Sequence, residues 1–143
     1  MINEEKMLEE KNLKKTSHRL LILDILKKSE RFLSADDVYM NVTKEDKGIS
    51  LSTVYRILEN LHRKKGIVSA VNVEFSKKVL YELSHETHGH RLICTNCHKV
   101  VYVEECPVHT FEDKIRKEYD FDIKRHKLDF YGLCKECQAE LNV

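Results

Sequence analysis

The 143-residue chain is predicted to be an α+β protein of two small domains, and three observations carry that prediction. Apolar residues recur at helical spacing from Leu20 to Leu61. Short strand-like segments take over from Ile67. All five cysteines and six of the eight histidines lie after Ser84. The boundary therefore falls between residues 1–83 and 84–143.

Composition narrows the class. With 34% charged and 41% hydrophobic residues, one proline and four glycines, the chain reads as folded and helix-rich. No apolar run approaches the roughly 20 residues of a membrane span. Met1 to Lys15 is charged throughout and lacks the apolar core of a signal peptide. A cytoplasmic protein without a membrane partner is expected. Disulfides are rare in that compartment, so the cysteines read as metal ligands or redox groups. Lys and Arg outnumber Asp and Glu by 16 to 13 in residues 1–83 and fall behind by 9 to 11 in 84–143. The difference in sign fits a nucleic-acid partner for the first half.

In that half, Leu20, Leu21, Leu23, Ile25 and Leu26 form the apolar face of a helix over 17–29. Ser34-Ala35-Asp36-Asp37 announces a second helix, with a hydroxyl to cap backbone N–H groups and two acids at the positive end. Gly48 closes a turn, and Ser50 or Ser52 caps a third helix with Val54, Ile57, Leu58 and Leu61 inward. Its other side presents Ser52, Thr53, Tyr55, Arg56, Glu59 and Arg63, and it stops at Lys64-Lys65-Gly66. Ile67–Val73 and Val79–Leu83 then read as a hairpin around a polar turn. Three helices followed by a hairpin is the layout of a winged helix-turn-helix, whose third helix enters the major groove. A small helical bundle with an attached hairpin fits the periodicity as well.

The second half is expected to be richer in strands. Arg91–Cys94 and Val100–Val103 flank the first Cys-x-x-Cys, and Pro107 opens a helix with Val108, Phe111 and Ile115 inward. Phe121–Tyr131 reads as a final strand ending at Gly132 and the second Cys-x-x-Cys.

Cys94, Cys97, Cys134 and Cys137 supply two thiolate pairs, the donor set of a structural zinc ion. The 36 intervening residues must fold back to join them. Redox pairs are the alternative, but neither pair opens a helix after a βαβ strand. Cys106, before Pro107, reads as a helix-start or partly buried thiol. His88 and His90 share a face if extended. His109 falls in the first turn of a helix, and His126 shares a strand face with Leu128 and Phe130. These four imidazoles can converge on a second ion; His18, His62, His85 and His98 default to the surface.

The segments Leu51-Ser52-Thr53-Val54-Tyr55-Arg56-Ile57-Leu58, His88 through Cys97, and Tyr131 through Cys137 together resemble the ferric uptake regulator family over nearly the whole chain. The resemblance implies a homodimeric repressor, with an N-terminal winged helix-turn-helix and a small C-terminal α/β dimerisation domain holding a four-cysteine zinc site. It implies operator DNA as the partner, touched by Tyr55 and Arg56 with Arg19, Ser52 and Thr53 helping. It also implies further metal sites. At the hinge site Glu82 keeps the acid, but Gly89, Arg91 and Phe32 stand where relatives have histidines. The iron- and peroxide-sensing activities depend on that site. The other site falls on His88, His90, His109 and His126, and an all-imidazole set suits zinc better than ferrous iron or manganese. The chain is therefore expected to be most like the zinc-sensing members and to control metal uptake genes, with an iron, nickel or peroxide regulator as the alternative. Arg91 is expected to pair with Glu82.

No small organic substrate or catalysis is expected. A zinc hydrolase would need a base that only Glu104 or Glu105 offers, and a zinc-binding interaction module leaves the helix bearing Thr53, Tyr55 and Arg56 unexplained.

Overall fold

The computed structural model describes residues 3–11, 14, 16–71, 77–85 and 88–143. The chain divides into two compact units, Met1–Ser84 and His85–Val143.

The first unit is helical with a small sheet. Helix α1 spans Glu4–Glu10, capped by the Asn3 side chain. Its charged sequence hides a single buried anchor, Leu8, and no periodic stripe announces it. Helix α2 covers Ser17–Lys28 and starts where Thr16 accepts the Arg19 backbone N–H. The two-residue strand β1, Leu33–Ser34, leads into α3, Ala35–Val42. There Ser34 and Asp37 exchange side-chain-to-backbone hydrogen bonds in a capping box. Helix α4, Leu51–Glu59, is capped by Ser50 and runs into a π-helical turn, Asn60–Lys64. Gly66 then takes φ 66°, a left-handed conformation that other residues adopt only with strain.

Strands β2, Val68–Val71, and β3, Leu80–Leu83, complete a three-stranded antiparallel sheet in the order β1-β3-β2. The expected continuation of the first hairpin strand to Val73 and the start of the turn lie outside the described residues. Val54, Leu58 and Leu61 are wholly buried against Ile22, Leu23, Val38 and Val42. Burying each such side chain contributes about 1.5–3 kcal/mol. Three helices with a following antiparallel hairpin form a winged helix-turn-helix.

The second unit has a three-stranded sheet in the order β5-β4-β6. Strand β4, His90–Cys94, is central; β5, Val100–Val103, pairs with it antiparallel, and β6, Asp129–Gly132, pairs with it parallel. Helix α5, His109–Tyr119, lies between β5 and β6 in sequence, and α6, Lys135–Glu140, follows β6.

Two expectations are corrected here. The final strand is four residues long, because β4 offers only five residues to pair with; Ile123 and His126 lie in irregular backbone. Helix α5 begins two residues after Pro107, and its phase leaves Phe111 57% exposed while Glu112 is turned inward.

Among the described residues of this unit, Ile93 is the single aliphatic side chain that is fully buried; the other buried groups are His90, Cys94 and Cys137. So thin a core needs additional links to hold it.

Candidate metal centres and nucleic-acid interface

The parallel pairing of β4 with β6 places Cys94 opposite Gly132, two residues before Cys134. Cys94 ends β4. The tight turn after it returns through His98, at φ 65°, whose N–H donates to the Cys94 carbonyl at 3.0 Å. Cys97 closes that turn; Cys134 stands at the N-cap position of α6 and Cys137 lies within it, so the second pair does open a helix, contrary to expectation. The four Sγ atoms all lie within 4.8 Å of one another. Cys97 and Cys134 are 3.8 Å apart. A tetrahedral ion with zinc–sulfur bonds of about 2.3 Å has edges of about 3.8 Å, so the donor set fits zinc.

Backbone and amide donors surround the sulfurs. The Cys134 N–H points at Cys94 Sγ at 3.4 Å and the Asn96 amide at Cys137 Sγ at 3.2 Å. Burial raises the Cys94 thiol, but N–H groups of Cys134, Cys97 and Asn96 outweigh it and bring the pKa down to about 6. At Cys134 the Cys137 N–H favours the thiolate, yet burial and the neighbouring Cys137, Cys94 and Glu136 side chains push the pKa up to about 12. A divalent cation among the four sulfurs favours the thiolate form of each.

The second cluster gathers His88, His90, Cys106 and His126, whose donor atoms also lie within 4.8 Å of one another. His90 is 3% exposed. Its Nδ1 faces the Leu128 carbonyl at 3.1 Å, which fixes the proton there and leaves Nε2 with a free lone pair. That buried Nε2 has no hydrogen-bond partner. An orphaned buried acceptor is costly, and an ion supplies what it lacks.

His126 places Nε2 3.3 Å from Cys106 Sγ and turns Nδ1 to the Glu112 carboxylate. A carboxylate behind a ligating imidazole sets its tautomer and orientation. Glu112 is in turn held by Arg116 at 2.8 Å. Its carboxyl stays below the ordinary range, chiefly through the His126 hydrogen bond. Burial, then repulsion from His126, His90 and His109, lowers the pKa of His88, which favours the neutral, ligating form.

Of the four imidazoles expected to converge, three do. The exposed ring of His109 has its centroid 5.4 Å from that of His88 and 6.2 Å from that of His126, outside the converging set. Cys106, expected as a helix-start or partly buried thiol, is partly buried and stands inside it. Glu112 had no role on sequence either; its link to His126 spans a helix and an irregular segment and leaves no local pattern. Three other histidines are engaged elsewhere: His18 with Asp46, His62 with the Val68 carbonyl and His85 against the Tyr102 ring.

On α4, Ser50 Oγ lies 2.8 Å from Thr53 Oγ1 and 3.1 Å from Ser52 Oγ, tying together the hydroxyls of the first turn. Tyr55 is 42% exposed and Arg56 is exposed. Glu59 and Arg63, expected on the same face, are paired at 2.6 Å, and the Tyr81 hydroxyl donates to Glu59 at 2.8 Å. The Glu59–Tyr81 bond braces the helix against β3, leaving Tyr55 and Arg56 projecting. Arg19 Nη1 donates to the Lys14 carbonyl at 3.1 Å.

A winged helix-turn-helix carried on one chain with thiolate and imidazole clusters defines a metal-responsive transcription regulator. A model of the ferric uptake regulator family matches residues 10–131, and the chain belongs to that family. It is 36% identical over 134 residues to the ferric uptake regulation protein of Neisseria gonorrhoeae, covering 93% of this chain and 92% of that one. It is 33% identical to that of Staphylococcus epidermidis, covering 96% and 95%. Among solved structures, the Helicobacter pylori ferric uptake regulator, described with three functional metal-binding sites, superposes with a TM-score of 0.77 at 25% identity over 96% and 95% of the chains. A zinc-bound manganese uptake regulator superposes with a TM-score of 0.74 at 26% identity over 93% and 99%. The family consists of transcription regulators, and the chain is not an enzyme.

Proposed function

We propose that the chain is a zinc-activated repressor that binds operator DNA as a homodimer in the cytoplasm and controls metal uptake genes. The units 1–83 and 84–143 then serve as the DNA-binding and the metal-binding dimerisation domain. Cys94, Cys97, Cys134 and Cys137 hold a permanent zinc ion. A second divalent ion binds at His88, His90 and His126, and its arrival selects the DNA-binding arrangement, a population shift. The observation that carries this reading is the buried, unpartnered Nε2 of His90, facing His88 and His126.

Other features agree. At the hinge positions where relatives have histidines, Phe32 is buried at 1% exposure and Arg91 is engaged by Asp129. Neither offers a ligand. Leu92, Val101 and Phe130 are register partners across the sheet, and each is more than 40% exposed. That apolar row is a surface for a second copy of the chain. Arg19, Ser52, Thr53, Tyr55 and Arg56 are assigned to the DNA, with Tyr55 and Arg56 at base edges.

The test is operator binding with zinc, ferrous iron, manganese and nickel in parallel, on the wild type and on His88→Ala and His126→Ala. Zinc should raise affinity most in the wild type and do little in either variant. Activation by iron or nickel instead assigns the corresponding sensor. Unaltered zinc dependence in both variants removes the sensing role from this cluster.

A further inference from the structure

We propose that Cys106 is the fourth ligand of the second metal centre, so that its ion is held by one thiolate and three imidazoles, with His109 outside the coordination sphere. This rests on reading that centre as the regulatory metal site.

The distances favour sulfur. Cys106 Sγ lies 3.3 Å from His126 Nε2. A tetrahedral ion with zinc–sulfur and zinc–nitrogen bonds of about 2.3 and 2.0 Å separates those donors by about 3.5 Å. A thiol–imidazole hydrogen bond explains that contact alone and leaves His90 Nε2 buried with nothing to bind. A shared cation satisfies both groups together. His109, by contrast, is not among the four groups whose donor atoms lie within 4.8 Å of one another, and its ring centroid is 6.2 Å from that of His126.

Backbone and charge point the same way. Cys106 precedes Pro107, and a residue before proline is biased to extended backbone, so the turn limits where the thiol can go. A dication met by four neutral imidazoles leaves positive charge in a partly buried site. With one thiolate and the Glu112 carboxylate behind His126, the charges cancel. Arg116 does not upset the balance, because its other nitrogen is paired with Asp113 at 2.8 Å. A thiolate also shifts selectivity toward zinc and cobalt and away from manganese and ferrous iron.

The experiment is a cobalt titration of the full-length protein with zinc already in the four-cysteine cluster, following zinc release throughout to detect exchange there. The wild type should develop a thiolate-to-cobalt charge-transfer band with no zinc released. Cys106→Ala and Cys106→Ser should lose the band and bind cobalt about tenfold or more weakly, while His109→Ala keeps band and affinity close to wild type. A wild type without the band, a Cys106→Ala protein that retains it, or a His109→Ala protein that loses it overturns the assignment. His126→Ala separates this from the underlying reading. If it abolishes metal-dependent operator binding while Cys106→Ala changes nothing, the regulatory centre stands and Cys106 lies outside it. If it leaves metal-dependent operator binding intact, the regulatory reading itself fails.

Discussion

Arg91 and Asp129 face each other across the parallel β4–β6 ladder and are joined by two hydrogen bonds, Nε to Oδ1 at 3.1 Å and Nη2 to Oδ2 at 3.2 Å. Their side chains are 13% and 7% exposed, so the pair belongs with buried ion pairs. Removing Asp129 takes the carboxylate away from a largely buried guanidinium. Asp129→Ala should therefore cost about 3–5 kcal/mol in urea unfolding; a loss below about 1 kcal/mol would class the pair with surface salt bridges. The expected pairing of Arg91 with Glu82 is a separate proposal. An Arg91→Ala protein with unchanged operator affinity and metal dependence discards it.

Glu112 holds His126, a proposed ligand, and is not itself placed as one. Glu112→Gln keeps the shape but loses the carboxylate behind His126. Affinity of the second centre for zinc should fall by about 10- to 100-fold, with the four-cysteine ion retained. Equal loss of both ions on metal analysis would show that Glu112 supports the fold and not the centre.

Acid should loosen the turn before α4 through Asp46. Its carboxyl receives a hydrogen bond from His18 and another from the Gly48 N–H, and these lower its pKa below the ordinary 3.8. A group depressed in the folded state stabilises it above the ordinary value and loses that contribution as pH falls through the folded pKa. The wild type should be the more stable protein above pH 3.8, and its advantage over Asp46→Asn should shrink below it. A pH-independent difference in urea midpoint would rule out the carboxylate as the cause.

The two faces of α4 should separate in their effects. Arg56→Ala removes an exposed cation and should weaken operator binding by about 1–3 kcal/mol while leaving the melting temperature in place. Leu58→Ala empties a fully buried position and should cost about 2–5 kcal/mol of stability. A large stability loss in Arg56→Ala would contradict the assignment of that face.

What could be read from sequence follows the range of the forces involved. Helices α2 to α4 were legible because Val54, Leu58 and Leu61 repeat at helical spacing and Ser34 and Ser50 are local caps. The thiol cluster was legible because each pair is one turn. Helix α1 leaves no signal in the sequence, since one leucine among charges makes no stripe. The strand expected from Phe121 is mostly irregular, because strand length is set by the partner, and β4 is short. For the second centre the sequence points to four imidazoles, because histidines are conspicuous donors. The place of Cys106 and the support from Glu112 and the Leu128 carbonyl arise where α5 and the irregular segment meet β4, and neighbours in sequence carry no trace of that meeting.

Strand β4 has a consequence for the order in which the protein becomes competent. By the alternation of a strand, His90, Leu92 and Cys94 share one face, so a ligand of each centre brackets the central residue of the exposed apolar row. The span from first to last Cα is about 13 Å. A chain that has not yet taken up its first ion has one end of this short rod unanchored. The apolar row proposed for a second copy and the proposed second centre then rest on a strand whose Cys94 end is held by sheet hydrogen bonds alone. Maturation should be sequential, and protein stripped of the thiolate-bound ion should take up the second ion more weakly than the same protein restored. A newly made chain would thus be deaf to metal until its own frame is complete.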